Sequence, residues 1–326
     1  MIQPFELTLN LPVSLANDVR STTTGLWNIL VASKNGDIDA VKKLVDSCPE
    51  LIFGQYNYTA PIHFAVREGH TELVKWLLSN GAHDPSYKIY PFNEPLEMFA
   101  EDRGYAEIAA LLKQYANNPA AHKYKGDNGE IHYERTTEQK AFQRAVSKDY
   151  FKRVKRTLDA HPEFATDQTY FWGEGIMTFA AKNVNREMVD LLTSYGARVP
   201  DILKWAQLYY FEKLEGAKMM MEKGMNPNTM SWHHVTLLHD MAQKGNIPKA
   251  ELLLKYGASL NEIDEEYLST PLGMAARWGN QEMVVFLLKN GADLDKAGAS
   301  WSTPLSWARE KKHEGIMKIL YDAGAK

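Results

Sequence analysis

Four glycines near the end of the chain, Gly224, Gly257, Gly291 and Gly324, lie 33, 34 and 33 residues apart. Such regularity ties the chain to a repeat architecture, since periods of roughly 20 to 50 residues mark stacked supersecondary units. One unit is written most clearly from Thr270 to Asp293. Thr270-Pro271 opens a helix whose apolar residues Leu272, Ala275 and Ala276 recur at helical spacing before Gly279 stops it. A second helix carries Met283, Val284, Phe286, Leu287 and Leu288 at three-to-four spacing, and Asn290-Gly291 tolerates the left-handed conformation that ends it. Two short antiparallel helices cannot bury both apolar faces alone, so copies of the unit must stack before any one is stable.

This unit resembles one ankyrin repeat. A second clear copy runs from Ala60-Pro61-Ile62-His63-Phe64-Ala65 through Gly69-His70, Leu73, Val74, Leu77 and Leu78 to Asn80-Gly81-Ala82, and Pro95 opens a third 34 residues beyond Pro61. Fainter copies are read from Trp27 to Val45, from Phe142 to Leu158, from Met177 to Ala197, and in a short sixth copy containing Ile202, Trp205, Ala206 and Met219-Met220-Met221. The resemblance implies an all-α ankyrin-repeat solenoid of about nine helix-turn-helix repeats with β-hairpin-like tips. Residues 1–24, where Phe5, Leu7, Leu9 and Leu11 alternate with polar residues, are expected as an extended capping segment. Repeats one to three are expected at 25–116, an extended hairpin insert at 117–136 around Gly126-Asp127-Asn128-Gly129, and repeats four to nine at 137–326, stacked with the first three as one solenoid.

A net charge of −4 gives no basic surplus that would argue for nucleic acid as the main partner. The single Cys48 forms no intrachain disulfide, which fits a reducing, cytoplasmic setting, and a structural role is expected for it. No basic leader opens the chain and no run reaches the ~18 apolar residues of a membrane span, so no membrane partner is expected.

In this family hairpin tips and the exposed side of each first helix line a concave groove, and here the tips carry aromatic residues. Tyr56 and Tyr58, Tyr90 and Phe92, Tyr170 with Phe171 and Trp172, Trp232 with His233 and His234, Tyr267, and Trp301 all precede helix starts. As a contact row they bring large rigid area with polar handles; the competing reading is that adjacent tips bury these rings against one another. In the column of first-helix residues Phe64, Met98, Arg144, Phe179, Trp205, Asp240, Met274 and Trp307, the charged Arg144 and Asp240 must either face the groove or be paired.

His63 and His239 occupy the family's Thr-Pro-Leu-His position, where the resemblance implies a bond to neighbouring backbone. The cluster around Trp232-His233-His234 lacks metal-site spacing, and no phosphate loop or nucleophile motif is present, so no metal, cofactor or catalytic residue is expected. The resemblance implies a scaffold for an unidentified partner polypeptide. The alternative is a small polar or carbohydrate ligand, with carbohydrate-active chemistry, held by the aromatic tips with Arg144, Asp240 or a tip glutamate among Glu174, Glu265 and Glu266.

Overall fold

A computed structural model of the chain describes residues 1–15, 19–90, 92–118, 132–133, 135–203 and 209–326, and it divides into two compact units. One is Phe5–Glu134; the other is Arg135–Lys326 together with Met1–Pro4.

In the unit Phe5–Glu134, three helix pairs follow the repeat pattern: Thr23–Asn35 with Ile38–Ser47, Pro61–Arg67 with Thr71–Ser79, and Leu96–Asp102 with Ala106–Ala116. The first helices pack side by side and bury Leu30, Phe64, Ala65, Phe99 and Ala100. The start of this unit differs from the expected extended segment. Phe5–Thr8 is a turn of 3-10 helix that buries Leu7 and leaves Phe5 and Leu9 exposed, because a three-residue period puts only one of the alternating residues inward. Extended backbone begins at β1 (Pro12–Ser14), which pairs antiparallel with β2 (Arg20–Thr22) and, on its other edge, with β3 (His132–Tyr133). Most of the expected insert, including Gly126-Asp127-Asn128-Gly129, lies outside the described residues, but His132 and Tyr133 pair with Ser14 and Val13.

In the other unit the pairs are Thr137–Ser147 with Phe151–Ala160, Thr178–Lys182 with Arg186–Ser194, Leu237–Lys244 with Ile247–Lys255, Pro271–Arg277 with Gln281–Lys289, and Pro304–Glu310 with Glu314–Asp322. The short copy shows its second helix, Leu214–Glu222, with Met219, Met220 and Met221 buried as core; Trp205 and Ala206 lie outside the described residues. Its start is marked by β4 (Ile202–Leu203), parallel to β5 (Met230–Ser231). Capping follows the sequence signals: Thr270 and Thr303 accept from Gly273 N and Ser306 N with Pro271 and Pro304 at the first helical position.

Tips are hairpin-like where a bridge closes them, at Tyr56 with Thr59, Ile89 with Glu94, and Met230 with Thr236. Among the described residues, two tips turn into helix instead. Before Thr178–Lys182 the chain makes two single turns of helix, Glu163–Thr166 and Tyr170–Gly173, and Trp301 sits on the 3-10 turn Ser300–Ser302. The turn at Tyr170 is fixed by Arg135, whose guanidinium lies 4.0 Å from the Tyr170 ring centroid and bonds Thr169 Oγ1 at 2.8 Å and Asp167 at 3.2 Å.

Successive copies are joined by a recurring polar link. The residue that starts a second helix reaches back to the end of the preceding copy's first helix, whose last carbonyls have no intrahelical donor. His70 Nε2 bonds Lys34 O at 2.8 Å, Asn280 Nδ2 bonds Ala242 O and Gln243 O at 2.9 and 2.6 Å, and His313 Nε2 bonds Arg277 O at 3.1 Å. Each sits over a glycine. At Gly279, φ is +76° and an added Cβ would meet the His313 ring at 2.9 Å, so both conformation and close approach require glycine there. Removing such a link costs more than removing a bond within one helix: Asn280→Ala is expected to lower stability by ~1–2 kcal/mol in urea titration. Asn290→Ala, whose side chain bonds Phe286 O in its own exposed turn, is expected to stay within ~0.5 kcal/mol of wild type.

His239 makes a second kind of link. Its Nδ1 accepts from Thr236 N at 3.2 Å and meets Thr236 Oγ1 at 2.8 Å, while Nε2 donates to Glu262 O and Ser269 O of the next tip at 3.1 and 3.0 Å. An acceptor at Nδ1 requires the neutral ring, and burial pulls its pKa from 6.5 down to about 4. Below pH 6.5 the unfolded chain therefore takes up a proton that the folded chain refuses, so the contribution of His239 to stability falls as pH drops from 6.5 to about 4. That contribution is expected to be ~3 kcal/mol, read as the change in unfolding free energy between the two pH values in wild type minus the same change in His239→Gln, a difference in which the buried carboxylates, common to both chains, cancel.

Candidate partner-binding site

The structure divides the predicted aromatic row. Phe92, Phe171, Trp232 and Tyr267 are buried, as is His233; the rings expected to meet a partner are instead covered, because a large apolar ring at a tip gains more from neighbouring protein than from water. Tyr267 shows how: it packs edge-on against Trp278 and Trp307 with the Arg277 guanidinium 4.4 Å from its centroid. Half-buried positions remain at Tyr58, Tyr90, His234 and Trp301, the last edge-on to Trp307 at 5.5 Å. The Trp172 side chain lies outside the described residues.

The polar candidates at the tips are also engaged. His233 pairs with Glu266, both buried, and His234 Nδ1 meets Glu265 Oε1 at 2.7 Å. Glu265 also holds the Met1 ammonium group, while Ile2 N donates to Trp232 O at 3.0 Å, so the first residues lie along these tips. Asp264 underpins the same loop: its carboxylate accepts from Glu266 N, Tyr267 N and Ser269 N, and burial pushes its pKa up to about 7 against those donors. Glu174 is fully buried. The tip glutamates and histidines thus have structural partners or positions, and sequence reading found them without finding this role.

Arg144 and Asp240 separate sharply. Asp240 is fully buried and paired at 2.8 Å with Lys244 one turn later; burial raises its pKa, and the Lys244 charge offsets part of that rise. It does not face an open groove, which corrects its placement as a binding residue. Arg144 is exposed and stands in a groove of about 410 Å³ lined by Lys140, Gln143, Arg144, Ser147, Lys148, Phe171 and Phe179. Of the predicted site residues, the structure brings together Arg144 and Phe171.

This groove is built from two copies. Thr137–Ser147 starts on a full capping box, Thr136 Oγ1 accepting from Gln139 N while Gln139 Oε1 accepts from Thr136 N. From that start Lys140 and Arg144 fall one turn apart, and Lys148 caps the end. The neighbouring helix Thr178–Lys182 supplies Phe179, half-buried, whose ring lies 4.6 Å from Phe171 and 5.7 Å from Tyr209. Phe171 adopts φ +50°, an uncommon region for a bulky residue, and the turn that imposes it also turns this ring toward Phe179. Sequence reading missed Lys140, Lys148 and Phe179 as site residues, although the Lys140-Arg144-Lys148 spacing was a usable signal.

The comparisons with known proteins follow this geometry. The sequence model of the family described as ankyrin repeats (3 copies) matches residues 29–123, 209–298 and 238–326. Cyclin-dependent kinase 4 inhibitor B of Mus musculus is 32% identical over 111 residues, 34% of this chain and 85% of the inhibitor. ARF GTPase-activating protein Git of Drosophila melanogaster is 37% identical over 86 residues, 26% of this chain and 12% of its own length. The human transient receptor potential cation channel subfamily A member 1 is 24% identical over 302 residues, 81% of this chain and 27% of the channel. No helix among the described residues is long and apolar enough to cross a membrane. Stacked helix pairs, their left-handed closing glycines and the family match over both ends of the chain lead to one conclusion: the chain belongs to the ankyrin-repeat family.

Proposed function

We propose that the chain is a protein-interaction scaffold that holds a partner polypeptide along the first-helix face of its repeats. The observation that carries this reading is the groove at Arg144, where cations and half-buried aromatic carbon are presented together on rigid helices. Side chains fixed in this way lose little entropy on binding, and a groove that joins apolar and charged contacts fits a polypeptide. The mouse relative points the same way, since it is named for inhibiting a kinase, itself a protein. We propose the cytoplasm as its setting, a reading supported by the single Cys48, which fits a reducing compartment.

A sugar-binding reading draws less support, because Trp232 and Tyr267 are buried and Asp240 is paired inside its own helix. The test compares immobilised wild-type chain with an Arg144→Glu/Phe179→Ala variant of unchanged circular dichroism. At least one protein recovered from extract by the wild type is expected to fall about tenfold with the variant, near the effect of one lost interface anchor. Oligosaccharides that bind the wild type and not the variant, with no protein sensitive to the change, would replace the scaffold reading with the ligand reading.

A further inference from the structure

Several cations of the same unit as the groove are paired with carboxylates. Lys155 pairs with Asp159, Lys182 with Glu212, Arg186 with Glu222, and Lys223 with Asp190. Among the described residues Lys140, Arg144 and Lys148 have no carboxylate partner, although they stand four residues apart on one helix and repel one another. The C-terminal dipole of that helix favours Arg144 and Lys148, which lie in and just after its last turn. It does nothing for Lys140, the three charges spread over about two turns have no carboxylate at the groove wall, and the carboxylate on the same helix, Glu138, meets His161 instead.

Resting on the scaffold reading, we infer that the groove lined by Lys140, Arg144, Lys148, Phe171 and Phe179 binds an extended acidic segment of the partner polypeptide. The spacing suits it. Successive cations are ~6 Å apart along the helix axis, and alternate side chains of an extended strand are ~6.6 Å apart. Carboxylates at every second residue of the segment therefore face the three cations in turn. The intervening residues point to the opposite wall or to solvent, and one apolar side chain next to the acidic run lies on the half-buried Phe179 ring, which the buried Phe171 ring backs at 4.6 Å. Beyond the groove lining the Phe179 ring lies 5.7 Å from Tyr209, which Lys182 approaches to 5.6 Å. A nucleic acid is less favoured as the main partner, since a net charge of −4 carries no basic surplus of the kind that argues for one.

The probe is a fluorescein-labelled peptide with glutamate at three alternate positions followed by one phenylalanine, titrated into the full chain and read by anisotropy. Binding is expected to weaken with added salt and to drop at least about tenfold in the Lys140→Glu/Arg144→Glu/Lys148→Glu variant. Phe179→Ala should weaken the same peptide at every salt concentration, and a Lys42→Glu variant, reversed in the other unit, should bind as wild type does. A peptide with lysine in place of glutamate should not bind. Equal binding by wild type and the triple variant would overturn the inference, as would a uridine oligonucleotide bound more tightly than the peptide at equal salt. If extract proteins depend on Phe179 and Arg144 while the acidic peptide fails to bind, the acidic-segment inference falls and the scaffold reading stands. If neither depends on them, both fall.

Discussion

Everything in this molecule depends on an apolar helix face that one repeat cannot cover for itself. A first helix such as Pro271–Arg277 is only seven residues long, below the length at which helices persist alone, and it is nevertheless buried along its whole length. Its stability comes from the helices Leu237–Lys244 and Pro304–Glu310 on either side. Burial of Leu272, Met274, Ala275 and Ala276 supplies the driving force, and the polar links supply the register. Asn280 and His313 bond carbonyls that a helix end leaves over, and they do so across the boundary between copies, so a shift of one copy against the next would lose them.

The same constraint explains which tip residues are available to a partner. A tip is the place where two copies meet, and a ring placed there is drawn into the seam. Phe92, Trp232 and Tyr267 have followed that path, and the polar residues beside two of these rings have been recruited to hold the loops: His233 with Glu266, His234 with Glu265, and Asp264 under three backbone N–H groups. Open groove surface is left where the repeat pattern is weakest. The fourth and fifth copies are the pair in which a single helical turn takes the place of a hairpin, and that turn places Phe171 beside Phe179 and opposite the cations of Thr137–Ser147. An irregularity that costs backbone strain at Phe171 thereby shapes the groove.

A good part of this was legible from residues alone. Thr-Pro steps located first helices, closing glycines located the ends of second helices, and the run Met219-Met220-Met221 was readable as core because three methionines at the end of a helix have no polar work to do. The role of His239 was legible only through the family resemblance, which implied a bond to neighbouring backbone; its capping box with Thr236 came from the structure. Other readings went astray for identifiable reasons. Phe5, Leu7, Leu9 and Leu11 alternate as a strand would, but a 3-10 turn with one buried leucine satisfies the same end of the stack. Arg144 and Asp240 looked equivalent as charges in an apolar column; Lys244 one turn beyond Asp240 distinguished them, and Arg144 has no such neighbour in its own helix.

The sequence by itself determined the repeat, its period and the positions at which helices begin and end, because those are set by local chemistry: a missing proline N–H, a glycine without Cβ, a threonine hydroxyl within reach of a backbone donor. Tertiary structure alone decided which side chains a partner could meet. Exposure is a property of two copies in contact rather than of one, so Trp232 and Arg144, both placed by the repeat on the same face, ended on opposite sides of the boundary between core and water.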